Sequence, residues 1–191
     1  NLATQEVQLV NLTLSKDVPQ FKAAANEAGI ITPLGGKFDR TEVGPIQVWE
    51  RKDGALEVIS GRHRFDLAKR SGETTIPAQI HREADGFDVK QAATLDAKLN
   101  IREEQGSVAD YANYFKNAGI SEDAAKSEGL LARAKGRAGF SIARDASPDL
   151  LAAHSAGIVT DEAALNISQA APGDAALQAL GMKAVQDGKS I

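Results

Sequence analysis

Gly61-Arg62-His63-Arg64 is the stretch whose residue types and spacing most clearly describe chemistry. It follows the strand-forming run Leu56-Glu57-Val58-Ile59-Ser60. It precedes Phe65-Asp66-Leu67-Ala68-Lys69-Arg70, which stops at Ser71-Gly72. Gly61 permits a backbone turn that a side chain would obstruct. A helix beginning near Arg62 directs its unpaired first-turn N–H groups into that turn. Those donors, the positive end of the helix dipole and two arginines flanking a histidine make an anion site, and phosphate is the anion that suits it. His63 would hydrogen-bond the phosphate or orient Arg64. The competing reading is a surface turn with solvated arginines, because one Gly-x-x-Arg is a common pattern.

Two further groups carry polar chemistry. Asn100-Ile101-Arg102-Glu103 offers an amide for a base or ribose, a guanidinium for a phosphate, and a carboxylate for Mg²⁺ or a water. Its alternative is an exposed loop between helices. Arg133, Lys135, Arg137 and Arg144 form a cationic run with no acid among residues 133–144. Beside a recognition helix such a run contacts DNA phosphates, with Ser141 and Arg144 facing the groove and a log–log salt slope of about −3 to −4. The alternative is a bundle that keeps only the shape of a DNA-binding domain. Cysteine is absent and the three histidines are scattered, so no metal set is expected, and His81 and His154 read as structural.

The elements that must position these residues change character along the chain. Strand patterns cover 6–10, 45–50, 56–59 and 75–80, and Asp53-Gly54 makes a hairpin turn between the second and third. A short helix is expected from a cap at 15–17 to Gly29, then a glycine-rich loop at 33–39 that lies over a ligand or merely connects. Trp49 reads as a half-buried packing residue. Beyond His81 only helical spacing remains: 88–99, an interruption at 100–107, a Ser107-capped helix closing at Gly119, then 121–135, 139–146, 148–155, 160–170 and 174–186. The predicted class is α+β: a small mixed sheet with helices over 1–85, then an all-α part over 86–191 with a helix-turn-helix at 121–146.

Composition limits the function classes. With 191 residues and 42% hydrophobic content the chain can bury a core. Aromatics at 5% are too few for a surface that stacks single-stranded bases. A net charge of −4 confines any nucleic-acid contact to a local basic patch, so DNA binding by the fragment alone is expected to be weak. The absence of cysteine fits a cytoplasmic setting, and no apolar run approaches a membrane span. The first residue, Asn1, suggests a domain taken from a longer polypeptide.

The run from Gly61 through Ala68 and Gly72 to Thr75-Ile76-Pro77 resembles the nucleotide-binding core of the ParB/sulfiredoxin superfamily. Arg62 stands where sulfiredoxins carry their reacting cysteine, which excludes sulfinic-acid reduction. Asn100-Ile101-Arg102-Glu103 resembles the Asn…Arg-Glu motif of ParB proteins, one residue short, and Pro148-Asp149-Leu150-Leu151 through Ala164 resembles the run after their helix-turn-helix. Together with Gly35-Gly36-Lys37-Phe38-Asp39, Gly44-Pro45-Ile46 and Asp110-Tyr111-Ala112, the chain is similar to ParB-like domains of large polyvalent phage and mobile-element proteins. The resemblance implies a phosphate site at Gly61, Arg62, His63 and Arg64, walled by Asn100, Arg102 and Glu103. It implies a nucleoside triphosphate (CTP or ATP) with Mg²⁺, DNA as partner, a homodimer, further domains of the same polypeptide, and a bacterial host cytoplasm. It leaves open a nucleotide hydrolase or nuclease on the same fold, and a protein–protein docking domain with a vestigial site.

Overall fold

The computed structural model describes residues 2–18, 21–30 and 33–188. The chain divides into two compact units, Asn1–Leu99 and Asn100–Ile191.

In the first unit, β1 (Thr4–Gln8), β2 (Leu12–Leu14), β3 (Ile46–Glu50), β4 (Leu56–Ser60) and β5 (Thr75–Arg82) form one mixed sheet in the order β1-β5-β3-β4-β2. β1 runs antiparallel to β5 and β3 antiparallel to β4, while β3–β5 and β2–β4 are parallel pairs. Laid flat, five strands at the usual spacing would set the sheet edges about 19 Å apart. The chain passes from Gln8 on one edge to Leu12 on the other in four peptide steps, which reach at most about 14 Å. The sheet must therefore coil strongly. The Leu9 amide fixes this crossing by donating to the Thr74 carbonyl at 2.9 Å.

Strand alternation supplies two apolar faces. Val7, Ile46, Val48, Val58, Ile76 and Ala78 pack with Phe65, Leu67 and Ala68 of α1 (Arg62–Arg70). Trp49 and Ile59 pack on the opposite side with Val18 and with Ala92 of α2 (Val89–Arg102). Trp49 is more enclosed than the sequence suggests. It is buried, and its indole N–H donates to the Phe87 carbonyl at 2.9 Å. The β3–β4 turn holds the expected hairpin, with Gly54 at φ 86° and the Arg51 amide donating to Ala55 at 2.8 Å.

Among the described residues every element of the second unit is helical: α3 (Val108–Ala118), α4 (Glu122–Ser127), α5 (Ala134–Asp145), α6 (Pro148–Ser155), α7 (Asp161–Ala170) and α8 (Ala175–Gln186). Ser107, Ser121, Ser147, Thr160 and Asp174 each cap one of them by accepting a first-turn amide. Ile142, Leu150, Val159, Ala164 and Ile167 form its core. Among the described residues no helix is long and apolar enough to cross a membrane.

Three sequence expectations are corrected. No helix forms in the described parts of 15–29; the Asn26 side chain accepts from the Ala28 and Ile30 amides and holds a turn instead. α2 continues through Arg102, so Asn100 is helical and the interruption starts at Glu103. The 121–135 helix breaks at Gly129 (φ 74°), and α5 runs on through Gly136. Gly136 and Gly139 are there for close packing. A Cβ at 136 would run into the Leu130 carbonyl, and one at 139 would lie 2.7 Å from Tyr111 Cβ and 3.2 Å from the Ala112 amide.

Gly139→Ala is therefore expected to destabilise the protein by about 1–3 kcal/mol through overpacking, against a helix-propensity gain of about 1 kcal/mol. Urea unfolding measures the balance. A variant as stable as the wild type would refute the tight α3–α5 contact.

Candidate functional site

Gly61 caps α1 with φ 92° and ψ 27°, a left-handed conformation suited to glycine. A Cβ there would meet Ile46 Cγ2 at 2.6 Å, so β3 closes over the turn from behind. The turn therefore brings the start of α1 against β3 and leaves no room for a side chain. The first turn of α1 contains no acidic residue. Its early amides have no partner within the helix.

The three polar side chains of the motif take different positions. Arg64 folds back over the turn, where Nη1 donates to the Gly44 carbonyl at 3.0 Å. Among the described residues no carboxylate lies within ion-pair distance of it. His63 Nδ1 lies 3.4 Å from Lys22 Nζ. Burial pushes the His63 pKa below its ordinary value, and the Lys22 and Arg62 charges push it the same way, against Asp66. Arg62 points inward: it is buried, and Nη1 donates to Asp96 Oδ2 of α2 at 3.3 Å.

A cleft of about 820 Å³ opens beside this turn. Arg62, Lys16 and Lys22 supply its positive charge, with Thr13, Ser15 and Asn26 as polar lining and Glu27 as the acid. Lys22 is 5% exposed. Sequence reading missed Lys22 and Asp96. Lys22 sits in a segment whose fold is irregular, so its spacing carries no signal. Asp96 had one: it is the single acid on the inward face of α2, among Ala92, Ala97 and Leu99.

The Asn100–Glu103 group belongs to the second unit. Asn100 is buried, and its carbonyl accepts from the Tyr111 hydroxyl at 3.4 Å. Arg102 is exposed and its Nε donates to the Glu128 carbonyl at 2.9 Å, while Glu103 is exposed just after α2.

The cationic run in the second unit is largely engaged within the protein. Lys135 donates to the Gly106 carbonyl at 2.7 Å, and Arg137 to the Leu131 and Ala132 carbonyls at 3.1 and 2.9 Å. Arg144 makes a two-point bond to Asp145 at 2.9 Å, which holds its pKa above the ordinary arginine value, and reaches Glu122 at 4.0 Å. Arg133 lies 3.8 Å from Glu104. Arg137 and Arg144 border a concavity of about 400 Å³ with Leu131 and Phe140. Ser141 is also on this face, but its hydroxyl oxygen is buried and has no hydrogen-bond partner among the described residues.

The other histidines are held by packing and hydrogen bonds. A 2.7 Å hydrogen bond joins His81 to Gln47, and the His81 ring stacks on Phe87. His154 is buried and bonded to Asp161 at 2.7 Å. Asp66 pairs with Arg70 at 2.7 Å, as its spacing suggests.

No protein-family model and no curated protein sequence matches the chain. Among solved structures it is similar to the C-terminally truncated chromosome-partitioning protein ParB from Caulobacter crescentus complexed to the centromeric parS site. That match has 17% identity and a TM-score of 0.59, covering 97% of this chain and 94% of that one. The same truncated protein complexed with CTP-γ-S gives 17% identity, a TM-score of 0.38, and 94% and 99% coverage. A Pnob8-like ParB-N domain gives 14% identity, a TM-score of 0.45, and 87% and 79% coverage. The chain has a ParB-like fold.

The His63 environment has a pH signature. Its native pKa lies below the ordinary 6.5, so the unfolded chain binds more protons as pH falls through that value. Stability is full above about pH 6.5 and declines below it, towards the native pKa. His81 contributes with the same sign. Urea midpoints between about pH 7.5 and 5.5 are expected to fall in the wild type and to fall less in His63→Gln. Equal slopes would contradict the desolvated His63.

Proposed function

We propose that the chain is a ParB-like, nucleotide-responsive DNA-binding module. The phosphates of a nucleoside triphosphate bind at the Gly61 turn, to the first-turn amides of α1 and to Arg64. Lys22 lines the adjacent cleft, and His63 lies against it. The observation that supports this most is Arg64: a guanidinium with no carboxylate partner among the described residues, folded over an acid-free helix start. CTP or ATP is the ligand class, with Mg²⁺ arriving on the nucleotide. Asn100, Arg102 and Glu103 are proposed to respond to it. The hydrolase and nuclease readings draw less support, because Asp66 and Glu73 beside the turn are tied to Arg70 and Arg40.

The second unit is proposed to meet DNA through α4 and α5 as a helix-turn-helix, and the likeness to a ParB solved on parS supports that assignment. The module is further proposed to work as a homodimer within a larger phage or mobile-element protein, in the bacterial cytoplasm.

Calorimetric titration with CTP, ATP and GTP, with and without Mg²⁺, tests the nucleotide site. Arg64→Ala should stay folded and lose about 1.5–3 kcal/mol of binding, roughly 10- to 100-fold. Unchanged affinity would remove Arg64 from the site, and no binding by the wild type would favour a docking domain. For DNA, Arg133 and Arg144 already face carboxylates, which leaves Lys135 and Arg137 to displace counterions. The log–log salt slope on random duplex is then expected near −2, shallower than the four cations alone imply. An Arg137→Ala/Arg144→Ala variant that binds as the wild type does would refute the α5 assignment.

A further inference from the structure

Arg62 is a cation of the phosphate motif that already has an anion. Its guanidinium carries five N–H donors in a fixed fork. Among the described residues its side chain makes one bond, from Nη1 to Asp96 Oδ2 at 3.3 Å. That is long and single-point for a charge-assisted pair, which closes to about 2.7–2.9 Å when well made. Both partners are enclosed, with side-chain exposures of 6% and 2%. A buried pair of such geometry recovers little of its desolvation cost.

The surroundings of Arg62 are rich in positive charge. Arg62 lines the cationic cleft, and it does so with Lys16 and Lys22. Its stem lies tight against Gly29, where a Cβ would run into Arg62 Cδ. The stem is thus closely packed while the head is weakly bonded. Asp96 sits on α2, the helix that carries the chain from the first unit to Arg102.

We infer that Asp96 is a resident competitor for the phosphate site. A polyphosphate entering the cleft takes Arg62 in a multi-point bond, and the Arg62–Asp96 bond breaks. Asp96 thereby sets how strong an anion must be to occupy the site, and its release is felt on α2. This rests on the nucleotide reading above and adds a residue that determines affinity without touching the ligand. No covalent step is involved.

The test is titration of the full chain with CTP and with inorganic triphosphate. Asp96→Asn keeps the shape of the side chain and removes its charge. It is expected to bind both ligands about fivefold tighter or more, the low end of ordinary coupling between sites. Arg62→Met should weaken both, and adding Asp96→Asn to it should change nothing further, because the competitor acts only through Arg62. In the wild type, hydrogen exchange of the α2 amides around Asp96 should become several-fold faster on adding triphosphate, a readout that needs no variant to fold. If the wild type binds triphosphate but Asp96→Asn binds equally or more weakly, or the α2 exchange is unchanged, the competitor role is wrong and the nucleotide site stands. If the wild type binds neither ligand, the nucleotide reading fails and the inference with it.

Discussion

The space behind residue 61 governs the first unit. Ile46 occupies the volume that a Cβ would need, and the backbone there is left-handed, so the position is restricted to glycine on two independent grounds. Because the turn is that tight, α1 starts directly at the end of β4, and its early amides emerge beside β3. Arg64 can then fold back over them, and Arg62 is driven inward to α2. Sheet, helix and polar motif are consequences of one close backbone approach.

That arrangement costs stability that other contacts offset. Three cationic or potentially cationic side chains lie close together: Arg62 and Lys22 line the cleft, and His63 lies against Lys22. Asp96 balances one of them within the fold, and burial favours the neutral form of His63. Elsewhere in the unit, charge is used for fastening. Arg51 is held by Asp17, Glu57 and Glu83 and covers the Trp49 ring at 4.1 Å, while Arg40 joins Glu6 and Glu73. Against these closed networks, Arg64 stands out in this unit as an arginine with no carboxylate partner among the described residues.

Much of this was legible in the sequence where local chemistry and tertiary structure agree. The strands β3 and β4, the Asp53-Gly54 hairpin, the Gly61 turn and the Ser107, Pro148, Thr160 and Asp174 helix starts all form where their residue types call for them. The failures share a cause. Gly136 reads as a helix stop, yet in α5 it is the residue small enough for the Leu130 carbonyl to approach, and only the fold reveals the neighbour. The segment around Lys22 has helix-forming alanines, but the Asn26 turn and the burial of Val18 override them. Arg62 looks like a phosphate ligand by spacing alone; the pairing with Asp96 arises across elements 34 residues apart in sequence. The acid-free run at 133–144 likewise hides that Arg144 and Arg133 meet carboxylates from outside or just beyond the run.

The proposed nucleotide site puts a triphosphate on the start of α1. Backbone amide chemical shifts measured on ¹⁵N-labelled protein during titration with CTP or ATP and Mg²⁺ test it most directly. The largest changes are expected on the amides of Arg62, His63 and Arg64, with Gly61 and Gly44 following. Saturable binding whose shifts leave those amides unmoved would place the ligand elsewhere and contradict it.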